Sequence, residues 1–290
     1  RYQRMITVVL ALISLIMVIP LVLLVVASFT SNNEIVLHGY SFFPKELSLE
    51  AYRYIWNERA QVFHAYGITI LVTAIGTTIG VMMTLLYAYV LAHEKFPGKT
   101  FLAFYLFFTM LFNGGLVPTY IMYTRYLHMK NTIPALIIPG LLMSAFNVIL
   151  TRTYIQSNVP AALSEAAKID GATEFQVFRK VVLPMCKPII ATVGLFAGLG
   201  YWNDWTNGLY YITDTNKFSI QQLLNNMIKN IEFLSKNANS NINLASVGGG
   251  IPQETVRMAI AIVGLLPILI VFPFVQKYFV KGISIGAVKG

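Results

Sequence analysis

Along the chain, long runs free of Asp, Glu, Lys and Arg alternate with shorter polar connections. Five are uninterrupted, within 5–29, 65–92, 100–124, 131–151 and 258–276. A sixth, at 184–201, contains only Lys187 near its start, where a long side chain can snorkel its ammonium to the headgroup layer. A helix needs about 20 apolar residues to cross the hydrocarbon core, so the pattern predicts an all-α membrane protein with six transmembrane helices. The first run follows Arg1 and Arg4. It exceeds the roughly 7–15 apolar residues of a secretory signal, which predicts a retained helix. Pro20, Pro118, Pro139, Pro267 and Pro273 lie inside the runs, with Gly76/Gly80 and Gly194/Gly198 at GxxxG spacing, consistent with close helix packing and local kinks.

Six spans put both termini on one side. The termini and the connections around 93–99 and 152–187 hold 12 Lys/Arg against 4 acids, and the opposite side 9 against 8. That asymmetry predicts cytoplasmic termini and a cytoplasmic 152–187 loop. Two outer connections are long, 30–63 and 206–254, the latter with an Asn-rich stretch at 236–243 and Gly248-Gly249-Gly250. The second reads either as a mobile polar loop or as a surface for a partner.

Composition strengthens the membrane assignment. The 290 residues are 56% hydrophobic and 11% charged, with a mean hydropathy of +0.65, whereas soluble domains carry about 25% charged residues. The formal charge of +9 is accounted for by topology rather than by nucleic acid binding. A single cysteine, Cys186, excludes an internal disulfide and a multi-thiolate metal site.

The most informative polar segment is 158–184, in the loop between the fourth and fifth spans. It reads as two short helices around a turn: Pro160 suits a first helical turn and Gly171 can end a helix in the left-handed conformation. Thr173 and Gln176 have the spacing of a capping box for the second helix. Leu163, Ala166 and Ala167 fall close to one stripe of the first helix, and Phe175, Phe178 and Val182 can line one side of the second. Spacing alone leaves two uses open, a knob received in a partner's cleft or an amphipathic segment on the membrane surface.

The residues themselves carry a resemblance. Glu165-Ala166-Ala167, then Gly171, then Val181-x-Leu183-Pro184 resembles the Glu-Ala-Ala loop of permeases in prokaryotic binding-protein-dependent ABC importers, and Asp170, Ala172 and Phe178 match its form in sugar importers. Pro188, Tyr201-Trp202-Asn203-Asp204-Trp205 and the closing Gly286-Ala287-Val288-Lys289-Gly290 extend the resemblance over nearly the whole chain, to the maltose-type second permease subunit and its oligosaccharide-transporting Gram-positive relatives. This implies a type I ABC importer permease fold: a transmembrane helix at 1–29, an outer loop at 30–63, and a permease core at 64–290 ending in a cytoplasmic tail at 281–290. It further implies a second homologous permease, two ATPase subunits holding ATP and Mg, an extracytoplasmic solute-binding protein, a carbohydrate substrate, and a prokaryotic cell membrane. By the same resemblance 165–171 is the coupling helix, with Glu165, Ala166, Ala167, Asp170, Gly171, Ala172, Phe178, Leu183 and Pro184 serving the ATPase contact, and Lys289 and Gly290 approach the ATPase dimer.

No GxxxxGK[ST] phosphate loop is present, so energy is expected from another subunit, and no cofactor is expected in this chain. For the translocation path the candidates are Asn113 and Trp202, Asn203, Asp204 and Trp205, whose aromatic faces and hydrogen-bonding groups suit a sugar. The competing reading of the second group is an interfacial aromatic belt. Gly282-Ile283-Ser284-Ile285-Gly286 matches GxSxG but lacks the strand, turn and helix of a nucleophile elbow. The four histidines, His38, His64, His93 and His128, lack metal-site spacing. Spans nearly free of ionisable groups argue against an ion-coupled transporter; import of a non-sugar solute by the same machinery is the nearer alternative.

Overall fold

The computed structural model describes residues 2–93, 96–238 and 253–287. Among them every regular element is helical, and the only strand-like pairing is the bridge between Thr30 and Leu47. The chain divides into two compact units, Arg1–His64 with Ile220–Ile270, and Ala65–Ser219 with Val271–Gly290.

The first unit opens with α1 (Tyr2–Ser28), apolar on all sides; none of its most apolar 18-residue window is buried, as suits a helix solvated by lipid. At its end the Ser28 hydroxyl meets the Tyr52 hydroxyl at 2.8 Å and the Phe29 ring stacks on Tyr52 at 4.7 Å. These contacts hold α3 (Glu50–Asn57) close, after the short α2 (Asn32–His38). The outer connection read as loop or partner surface folds over Ile220–Ala238 into an amphipathic helix, α13. Its Ile220, Leu223, Leu224, Met227 and Ile231 recur every three or four residues and are buried. Leu224 lies against the first part of α14 (Gln253–Ala287), where Gly264 has no side chain to oppose it. Arg257 of α14 spans Glu254 at 3.3 Å and Glu232 of α13 at 3.4 Å. The rest of the Asn-rich stretch beyond Ala238, and the triple glycine, lie outside the described residues.

The second unit contains the body of α4 (Arg59–Ala92), then α5 (Lys99–Leu111), α6 (Leu116–Tyr126), α7 (Pro134–Ile137), α8 (Ala145–Asn158), α9 (Ala161–Ile169), α10 (Glu174–Met185), α11 (Lys187–Trp202) and α12 (Thr206–Tyr211). Among the described residues α1, α4 and α14 as far as Pro273 are long and apolar enough to span a membrane alone. α5 with α6, and α10 with α11, qualify as pairs bent by 113° and 81°. The expected single helix at 100–124 is therefore a bent pair, broken where Gly115 takes φ +83°.

The run at 131–151 departs furthest from the expected span. After α7 the backbone leaves the helix and resumes at Ala145. Pro139 cannot donate a backbone hydrogen bond and Gly140 adopts φ +71°, so the helix stops there. Side chains supply the missing partners: the Tyr201 hydroxyl donates to the Ile137 carbonyl, and the Asn207 amide to the Pro139 carbonyl, each at 2.9 Å. Irregular backbone at membrane depth is tolerable only with such support.

Glycines set the helix approach. A Cβ at Gly76 would lie 2.4–2.7 Å from the Tyr201 ring, one at Gly80 2.6 Å from the Leu142 carbonyl oxygen, and one at Gly198 3.5 Å from the Thr77 hydroxyl. A buried cluster around Leu85, Ala88, Val148, Val177, Phe178 and Val182 fills one end of this unit, and another around Val72, Leu136, Tyr201 and Tyr211 fills a second.

Candidate functional site

Two features of the second unit bring chemistry together, the knob formed by α9 and α10 and a cavity at the interruption before α8.

The knob is built by local signals. Pro160 stands at the cap of α9, one position before the expected first turn. Gly171 takes φ +82° and, with Asp170 and Ala172, returns its N–H to the last carbonyls of α9 at 2.9–3.0 Å. The Thr173 hydroxyl then accepts from the Gln176 N–H at 3.4 Å while the Thr173 N–H donates to Gln176 Oε1 at 2.8 Å, the reciprocal capping box expected from sequence.

α10 contains a π-helical turn at Phe178–Val182. Val177, Phe178 and Val182 form its buried face, continued by Cys186 just beyond its end. The expected stripe is thus corrected in one member: Phe175 is 66% exposed, and Val177 is buried in its stead. No residue of α9 is buried. Leu163 is 47% and Ile169 87% exposed, so with Phe175 the knob presents apolar side chains outward beside the exposed Glu165, Ala166, Asp170 and Gly171. Ala167, Ala172 and Leu183 pack against the buried cluster, Phe178 belongs to it, and Pro184 is exposed.

Glu174, at the start of α10, was not singled out by sequence. Its carboxylate accepts from the Tyr89 hydroxyl of α4 at 2.9 Å, pairs with Lys168 of α9, and lies 3.9 Å from His93 Nε2. The Lys168 ammonium, followed by the Tyr89 hydroxyl, holds this carboxyl below the usual carboxylate range. Because Glu174 is 60% exposed, water screens the ion pair, which is worth at most about 1 kcal/mol.

The cavity, of 420 Å³, lies where the chain leaves the helix between Gly140 and Ser144. Thr84, Ser144 and Asn147 supply polar groups, and Phe146 and Phe196 supply aromatic faces. A mixed lining beside a discontinuous helix suits a polar solute in a membrane protein. The sequence signal available was Pro139-Gly140 followed by Ser144 and Asn147 inside an apolar run.

None of the expected path residues lines this cavity. Asn113 sits at the α5–α6 bend, where its Oδ1 accepts from the Gly115 N–H at 2.8 Å. The Trp202 ring lies 6.3 Å from Tyr66. Asn203 ends α11, and Asp204 Oδ1 accepts from the N–H groups of Thr206 and Asn207 at 3.0 and 3.2 Å, giving Asp204 a capping role at α12. Trp205 is exposed. Lys289 and Gly290 lie outside the described residues. Gly282, Ser284 and Gly286 lie within helical α14 rather than at a strand-to-helix turn.

A family profile described as "Binding-protein-dependent transport system inner membrane component" matches residues 76–285. The polygalacturonan/rhamnogalacturonan transport system permease protein YtcP of Bacillus subtilis is 36% identical over 281 residues, 97% of this chain and 96% of that relative. Protein LplC of the same organism is 34% identical over 94% of this chain and 90% of its own length. Among solved structures, a bacterial ABC transporter involved in the import of the acidic polysaccharide alginate superimposes with a TM-score of 0.77 at 27% identity, covering 96% of each chain.

Proposed function

The chain belongs to the family of inner membrane components of binding-protein-dependent transport systems, and from that premise we propose that it is the permease subunit of an ATP-driven importer of carbohydrate, of the oligosaccharide class. It forms the translocation path with a second homologous permease. Two ATPase subunits, which bind ATP and Mg, take hold of 165–171, and an extracytoplasmic solute-binding protein delivers the substrate. Both termini and the knob face the cytoplasm, on the side with the excess of Lys and Arg.

The observation that carries this reading is the knob's outward apolar surface, Leu163, Ile169 and Phe175 beside Glu165, projecting from a base whose Val177, Phe178 and Val182 are buried. Exposed apolar side chains on a short helix with a firm foundation suit docking into a groove. Closure of the ATPase pair on ATP then moves the knob as a rigid body, and the spans beside it alternate access to the path. The substrates of the relatives, polygalacturonan or rhamnogalacturonan and alginate, support carbohydrate as the cargo class.

Glu165→Lys is the first test. The variant is expected to insert and accumulate normally, because Glu165 is exposed, while uptake of oligosaccharide and its stimulation of ATP hydrolysis are lost. Wild-type uptake in this variant counts against the docking assignment.

A further inference from the structure

The polar contacts beneath the knob join elements far apart in the chain. α9 leads into α10 through the Gly171 turn, whereas Tyr89 of α4 precedes Glu174 by 85 residues. The Glu174 carboxylate takes the Tyr89 hydroxyl on one side and the Lys168 ammonium on the other. The Tyr89 ring also packs on Phe178 at 5.1 Å and on His93 at 4.7 Å, so apolar contact places the ring independently of its hydroxyl. The covalent routes from knob to bundle are less direct. One passes the extended Val159 and Pro160 into α8; the other runs along α10 through its π turn and the 81° bend at Cys186 into α11.

α4 is also a wall of the cavity, through Gly80 and Thr84. At 1.5 Å per residue, Tyr89 stands only about 7–8 Å along the helix from Thr84. A pull on the Tyr89 hydroxyl is therefore a pull on the cavity wall.

Resting on the reading of α9 as the docking helix, we propose that Glu174 is a positioning residue that fastens the knob to α4, so that movement of the docked knob reaches the cavity through Lys168, Glu174 and Tyr89 as well as through α8 and α11. The link is local to this carboxylate, and Glu174 itself makes no contact with solute or nucleotide.

The test uses the full complex with its ATPase subunits in membranes, carrying a Ser144→Cys label site in the cavity wall. Cys186 is buried and provides a quiet background. The readout is the ATP-induced change in the labelling rate by a membrane-impermeant maleimide. Tyr89→Phe keeps the ring and removes only the hydroxyl, and Glu174→Ala removes the carboxylate. Each is expected to reduce the ATP-induced change about fivefold, at the low end of coupling energies between sites. The ATPase should still copurify, and the double variant should respond no worse than the weaker single, since both remove one link. A response within about twofold of wild type in Tyr89→Phe, or single effects that multiply in the double variant, overturns the proposal. If Glu165→Lys abolishes the response while Tyr89→Phe preserves it, the docking reading stands and the Glu174 link alone falls. If no ATPase copurifies with the wild-type chain, both fall together.

Discussion

Gly171 shows how one backbone angle shapes the knob. Its φ of +82° lies in the left-handed region, yet no atom stands within 4 Å of where a Cβ would be. Substitution is therefore opposed by backbone strain rather than by crowding, and the cost should follow the residue's tolerance for that region, about 1–3 kcal/mol for a β-branched side chain and less for Asn. Gly171→Val should unfix the knob and suppress uptake with normal insertion, whereas Gly171→Asn should retain most uptake. Equal uptake by the two variants would refute the angle as the cause. Gly80 presents the opposite case, since it is helical and its hypothetical Cβ lies 2.6 Å from the Leu142 carbonyl oxygen. A backbone atom cannot rotate aside, so Gly80→Ala should shift the segment before α8 and lower thermal stability by about 1–3 kcal/mol. An unchanged melting temperature would show that α4 has room to retreat.

The elements differ in how plainly the sequence announces them. The apolar runs of α1, α4 and α14 are legible because length and lack of charge are what lipid demands. The knob is legible too: Gly171, Thr173 and Gln176 act on neighbours within a few residues. The interruption at Pro139-Gly140 escapes a hydropathy pattern because neither residue adds charge, and hydropathy records solvent preference rather than backbone direction. What sustains the break, Tyr201 and Asn207, lies more than 60 residues away. The Glu174 contact with Tyr89 is hidden for the same reason. α13 is obscured because Asn225, Asn226, Lys229 and Asn230 interrupt its apolar residues, while the buried Ile220, Leu223, Leu224, Met227 and Ile231 carry the helical period. Replacing Ile231, fully buried, by Asp should therefore loosen α13, costing several kcal/mol through an unpaired buried charge. Faster proteolysis between α13 and α14 would register the change, and wild-type resistance would contradict this packing.

Taken together, the chain pairs a cavity beside an interrupted helix with an exposed knob, in a sequence without a GxxxxGK[ST] motif. The arrangement makes sense when force arrives from outside the chain and is applied at α9. Asn203 ends α11 and Asp204 caps α12, while Thr84, Ser144 and Asn147 at the cavity are further candidates for solute passage. On the proposed function, a nucleotide-hydrolysing subunit seats against the knob. A photo-reactive side chain installed at exposed Ala166 in the intact complex tests it directly. A covalent adduct with the ATPase subunit is expected, absent when the same group is placed at Ile75 of α4. An assembled complex in which Ala166 yields no ATPase adduct, or yields lipid adducts alone, would contradict it.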